Sequence, residues 1–132
     1  MKLLKAMSLG LLIGFSALGY AQSHSEKTEE LKSILKQSLY KPEVNIDEKS
    51  NVNRTDNNGN TFKLNLNDVQ EIRYDFDGFH NVLMVMKEGK TVNTNIAGKQ
   101  SDQKLNVYSF KNQNDCDKAI ELINQLINKN VN

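Results

Sequence analysis

Four groups of residues have types and spacings that can do chemistry. Asp56-Asn57-Asn58-Gly59-Asn60 and Asp75-Phe76-Asp77-Gly78 each supply part of a calcium loop, in which oxygen ligands recur at alternate positions and a bidentate Glu closes the set. Counting back from Gly59 or Gly78 puts Arg54 or Arg73 where the first acidic ligand belongs, and neither set has its closing Glu. Both segments therefore read as hairpin turns. His80, Met84 and Met86 share parity, and imidazole with thioethers suits Cu(I). Val82 stands in the same row, however, and Met is a common core filler, so the row reads as packing.

Cys116 is the sole cysteine. A catalytic thiol needs a base within hydrogen-bond reach, and the two histidines are His24, near the start, and His80, in an expected loop. Ala119 and Ile120 share the apolar face of Cys116, which favours a buried packing role. Asp75 and Asp77 could act as an acid-base pair. Glu71, Arg73 and Asp75, however, alternate with apolar residues and read as a solvated face with cross-strand ion pairs. No catalytic, cofactor or metal site is assigned, and no cofactor is expected.

The elements that position these residues follow from periodicity. Leu31, Ile34, Leu35 and Leu39 recur at helical spacing within a segment that ends before Pro42, giving an N-terminal helix within 22–41 that docks on a sheet. Ser23 with Glu26 offers a capping box. Strands are expected near 44–48 and 51–55, the second pairing with 61–66 across the Asp56–Asn60 turn. Ile72, Tyr74 and Phe76 alternate with charged residues as a half-buried strand. Val82 to Met86 is apolar at both parities, which predicts cover on both faces. A meander through 91–96, a 97–102 loop and a last strand at 105–110 completes the strand region 43–110. Cys116, Ala119, Ile120, Ile123, Leu126 and Ile127 then mark one face of a closing helix within 112–129.

The first 21 residues read as a secretory signal peptide. Lys2 and Lys5 precede an apolar run from Met7 to Leu18, too short to span a bilayer, and small residues Gly19 and Ala21 suit cleavage between Ala21 and Gln22. No Cys follows the run to take a lipid anchor. Removing 1–21 lowers Lys+Arg from 17 to 15 against 16 Asp+Glu, a net charge of −1. Such a balance argues against nucleic acid as a partner. No later stretch is long and apolar enough for an integral membrane segment. The remaining residues, 22–132, suit one domain without an internal disulfide.

The segment Phe62-Lys63-Leu64-Asn65-Leu66-Asn67-Asp68-Val69, the turn Met86-Lys87-Glu88-Gly89-Lys90 and the terminal helix resemble small exported bacterial proteins of unassigned function with a pleckstrin-homology-like (PH-like) architecture. The resemblance implies an α+β fold: an antiparallel sandwich or open barrel with a C-terminal capping helix and an extra N-terminal helix. Inositol-phosphate binders of that architecture carry Lys and Arg in the first hairpin loop; Asp56 to Asn60 has none, so that activity is not carried over. The expectation is an exported, periplasmic or secreted, non-enzymatic binding module, monomeric or weakly associating, for a protein or cell-envelope component. The alternative is a carrier of a small apolar ligand or lipid, with Val82, Met84, Met86, Cys116, Ile120 and Ile123 lining a cavity between sheet and helix.

Overall fold

The computed structural model describes residues 24–128. The chain is α+β. Helix α1 (His24–Leu35) is followed by β1 (Glu43–Ile46), β2 (Asn51–Thr55) and β3 (Thr61–Asn65). A 3-10 turn (Leu66–Asp68) leads to β4 (Val69–Phe76), β5 (His80–Met86), β6 (Val92–Ile96), β7 (Lys99–Gln103) and β8 (Leu105–Phe110), and α2 (Gln113–Asn128) ends the described chain. The strands make two antiparallel sheets, a large one ordered β1-β2-β3-β6-β7 and a small one ordered β4-β5-β8, which do not close into a barrel.

The first two hairpins turn on the same chemistry. Asp47-Glu48-Lys49-Ser50-Asn51 joins β1 to β2, and Asp56-Asn57-Asn58-Gly59-Asn60 joins β2 to β3. In each, one Asp carboxylate oxygen accepts the backbone N–H groups two and four residues on, and the other accepts the side-chain amide of the closing Asn. The fourth residue of each turn has positive φ, 71° at Ser50 and 86° at Gly59, a conformation that glycine adopts freely and serine only under strain. These bonds explain the acidities: the Asn51 side chain and backbone hold Asp47 below its ordinary value. At Asp56 burial pushes upward, and the bonds from Asn58 and Asn60, with Arg54 nearby, outweigh it.

The core lies between the inner faces of both sheets and α2. Val44, Val52, Leu64 and Val92 come from the large sheet, Val82, Met84, Met86, Tyr108 and Phe110 from the small one, and Cys116, Ala119, Leu122, Ile123 and Leu126 from α2. Full burial of one such aliphatic side chain contributes about 1.5–3 kcal/mol relative to exposure. Asn112 caps α2 by accepting the Asp115 N–H at 3.2 Å, a bond that satisfies one orphan donor of the first turn.

Several expectations need correction. Helix α1 stops at Leu35, where the Ser38 hydroxyl bonds the Leu35 carbonyl and Tyr40 and Lys41 take positive φ. It packs on α2 as well as on β1, because Leu31 and Leu35 meet a second amphipathic helix. The expected meander is broken: β5 pairs with β4 and β8, and β6 with β3 and β7. Period-two patterning identifies strands and not their partners, and the Lys87–Lys90 turn carries the chain from one sheet to the other. The 97–102 loop is instead the start of a hairpin on Ala97 and Gly98, both at positive φ, as a two-residue primed turn requires. Strand β7 has no apolar residue and is exposed throughout, so it lacks a hydrophobic signal.

On β5 one face is buried, whereas Leu83 and Val85 on the other are only half-buried. Their cross-strand neighbours Arg73, Glu71 and Leu105 are exposed. On β4, Ile72 is half-buried as expected, but Tyr74 and Phe76 are 45% and 58% exposed. His80, expected in a loop, opens β5.

Candidate functional site

The small sheet has two edges, and the chain's two arginines, Arg54 and Arg73, stand one at each. The β8 edge is closed. Leu39 donates its N–H to the Ser109 carbonyl at 2.8 Å, and Arg54 donates from Nη1 to the Val107 carbonyl at 2.7 Å and from Nη2 to Asn106 Oδ1 at 3.1 Å. The guanidinium of Arg54, reaching across from β2, lies 3.9 Å from the Phe62 ring centroid and 4.4 Å from that of Tyr108. Two aromatic faces and two acceptors meet the charge, the type of environment that a planar guanidinium suits better than an ammonium. Burial lowers the pKa of Arg54 and pushes the Tyr108 phenol up to about 12, with Arg54 opposing the latter shift. Beside Arg54 lies a cleft of about 190 Å³ walled by Ser38, Tyr40, Pro42, Asp56 and Phe62.

Hydrogen-bond phase at β8 determines the opposite edge. Because Val107 and Ser109 point their carbonyls outward, Asn106, Tyr108 and Phe110 bond β5 at Met84, Val82 and His80. Alternation then turns Asn81, Leu83 and Val85 toward Asp75, Arg73 and Glu71 of β4. The Lys87 N–H, bonded to the Asp68 carbonyl, keeps the same phase. The N–H and C=O groups of Ile72, Tyr74 and Phe76 are therefore left on the outer edge, and among the described residues no strand pairs there.

Aromatic residues crowd this open edge. Tyr74 and Phe76 share a face with His80, whose Nδ1 lies 2.7 Å from the Tyr74 hydroxyl and whose ring lies 4.9 Å from that of Phe76. Phe79, at the hairpin tip, is 37% exposed. Partial burial, followed by the charges of Cys116, Asp117 and Asp75, pushes the Tyr74 phenol above its ordinary value. On the other face Arg73 makes a two-bond pair with Glu71, which holds that carboxyl down and raises Arg73 in turn.

The residues singled out for chemistry are dispersed or engaged. Asp75 and Asp77 both accept from the Asn81 amide, and Asp77 also caps the Phe79 N–H. Cys116 is fully buried, and burial, with Asp117, pushes its thiol up to about 11. Among the described residues no three His, Cys, Asp or Glu side chains gather to hold a metal. Val82, Met84, Met86, Cys116 and Ile123 are packed in the buried core, with Ile120 half-buried against it. The clefts near Arg54, at the start of α1, at the 37–41 corner and over β2–β3 are lined by none of these six. Ala21 and Gln22 lie outside the described residues. No described helix is long and apolar enough to cross a membrane.

Sequence reasoning missed the open edge, because alternation marked Tyr74 and Phe76 as core. One signal was present: three of the nine Phe and Tyr residues fall in the six-residue stretch Tyr74–Phe79. The Arg54 clasp had a signal too, since a chain with 15 Lys uses Arg only twice. The chain matches no protein-family model, and no curated protein or solved structure is significantly similar to it.

Proposed function

We propose that the protein is an exported, non-enzymatic binding module of PH-like type that engages a protein or cell-envelope partner by adding a strand to the β4 edge. The observation that carries this reading is the β4 edge itself, with outward-facing backbone groups at Ile72, Tyr74 and Phe76 and two exposed aromatic side chains. An edge strand supplies affinity through its main-chain hydrogen bonds, and alternate side chains supply selectivity. Large exposed aromatics beside a polar face fit a partner surface. The Cys116 thiol, buried and pushed up to about 11, and the Asn81-bound Asp75 and Asp77 favour binding over catalysis.

A photo-crosslinking side chain at Phe76, introduced in the native host, tests the reading. A discrete adduct is expected, and Tyr74→Pro should abolish it by removing an outward N–H that β5 does not use. The control position is Lys63, an exposed residue of β3 in the large sheet. Equal labelling at both positions, or an adduct indifferent to Tyr74→Pro, would overturn the proposal.

A further inference from the structure

We infer that the strand added to β4 is the β4 of a second copy of this chain, paired antiparallel about a two-fold axis through Tyr74. This inference rests on the strand-addition reading above and names its partner. Two constraints select it. The first is hydrogen-bond parity: only Ile72, Tyr74 and Phe76 present backbone groups to the edge, so these residues must face one another across the axis. Centring on Tyr74 sets Tyr74 opposite Tyr74 and Ile72 opposite Phe76 twice, using all three outward residues of each strand in hydrogen-bonded pairs.

The second constraint is charge. In this register the intervening positions place Arg73 of each copy directly opposite Asp75 of the other, in the close non-hydrogen-bonded geometry where cross-strand ion pairs are favourable. Neighbouring registers fail. An axis through Arg73 sets Arg73 against itself, and one through Asp75 sets Asp75 against itself. An axis through Phe76 opposes Asp75 and Asp77. One through Ile72 matches charge, Arg73 to Glu71, but puts Tyr74 opposite Gln70, where the ladder is irregular between Val69 and Glu71, and Phe76 opposite Asp68 of the 3-10 turn. The Tyr74 register contains one kind of like-charge pair, Glu71 against Asp77, at its ends, where Arg73 already holds Glu71 in an ion pair. On the opposite face Ile72 gains the ring of Phe76, and the Tyr74 side chains meet, so an exposed aromatic row becomes an interface.

Two single substitutions test this pairing together. Arg73→Asp places Asp opposite Asp across the interface, and Asp75→Arg places Arg opposite Arg, so neither variant pairs well with itself. Mixed one to one, they restore both opposite-charge contacts. By sedimentation equilibrium, the chain purified from its own host is expected to dimerise reversibly. Each variant alone should have its dimer dissociation constant raised about tenfold or more, and the mixture should recover most of the parent affinity. Recovery on mixing also shows that both variants are folded. A parent chain that stays monomeric to roughly 1 mM, or variants that each dimerise like the parent, would overturn the inference. In the first case, an adduct at Phe76 to another protein, still lost in Tyr74→Pro, would leave strand addition standing with a different partner. Absence of any such adduct would remove both.

Discussion

At the β8 edge, Arg54 is held within the protein, with its guanidinium between Phe62 and Tyr108 and its N–H groups on Val107 and Asn106. At the β4 edge, Arg73 lies in solvent, paired with Glu71 two residues away, while the outward groups of its own strand have no protein partner among the described residues. One sheet thus has one side finished by a side chain from the other layer and one side left available. An unpaired edge is a hazard that natural proteins blunt, and β8 shows that this fold can do so. The exposure of Tyr74 and Phe76 on the unblunted side gives the binding proposal its physical basis.

Five substitutions, in four tests, would break or sharpen the contrast. The largest effect is expected from Arg54→Ala, which removes two charge-assisted hydrogen bonds and two ring contacts. It should cost about 3 kcal/mol in a denaturant titration, and a loss below about 1 kcal/mol would show that the β8 edge is held by Leu39 and packing instead. Tyr74→Pro at the open edge should cost about 1 kcal/mol, since its N–H points away from β5 and what is lost is an exposed side chain with its hydrogen bond to His80. A loss as large as that of Arg54→Ala would mean that the hydrogen-bond phase assigned to β4 is wrong.

The turns offer a third test. Ser50→Gly should stabilise the fold by up to about 1 kcal/mol by relieving positive φ, offset in part because the Ser50 side chain is buried. Gly59→Ser should destabilise it by a similar amount, and shifts of the same sign for the two variants would refute the equivalence of the turns. Phe76→Ala should change stability by less than about 0.5 kcal/mol while raising the dimer dissociation constant read by sedimentation equilibrium. That combination separates a binding residue from a packing residue.

The acidities add a pH dependence. Asp47 and Asp56 have folded-state pKa values below their ordinary ones, so the unfolded chain binds protons first as pH falls. Their stabilisation is present above about pH 4 and is lost as pH drops through the lowered values. Chemical denaturation between pH 2 and 6 should show this loss, and Asp56→Asn should flatten it. An unchanged slope would mean that the turn bonds to Asp56 do not distinguish its charged form.

Most of the element order was legible in the sequence, because alternation at Phe62, Leu64 and Leu66 and the helical stripe from Cys116 to Ile127 are strong local signals. Sheet assignment was not. Thr91 to Ile96 carries the pattern of a strand equally suited to pairing with β5 or β3, and the choice depends on layer packing that no single segment encodes. Strand β7, from Lys99 to Gln103, was illegible because it has no apolar face and is held by backbone pairing to β6. The open edge was hidden for the opposite reason: Tyr74 and Phe76 have the residue types and parity of a core row, and only the position of β4 at the end of its sheet leaves them exposed. Arg54, seen in the sequence only as the residue that spoils a calcium loop, proved to join the two sheets.

The twin Asp-to-Asn turns have a consequence for folding kinetics. They make β1, β2 and β3 a unit of short-range contacts, each strand reached from the last across a few residues, which is the kind of structure that forms quickly. The clasp on β8 instead joins residues 52 and 53 positions apart, a closure whose chain entropy delays it. The turns should therefore be formed at the folding barrier and the clasp after it. In stopped-flow measurements Gly59→Ser should slow refolding, whereas Arg54→Ala should leave refolding nearly unchanged and accelerate unfolding. The side chain that closes the sheet would then set how long the native state lasts rather than how fast it is reached.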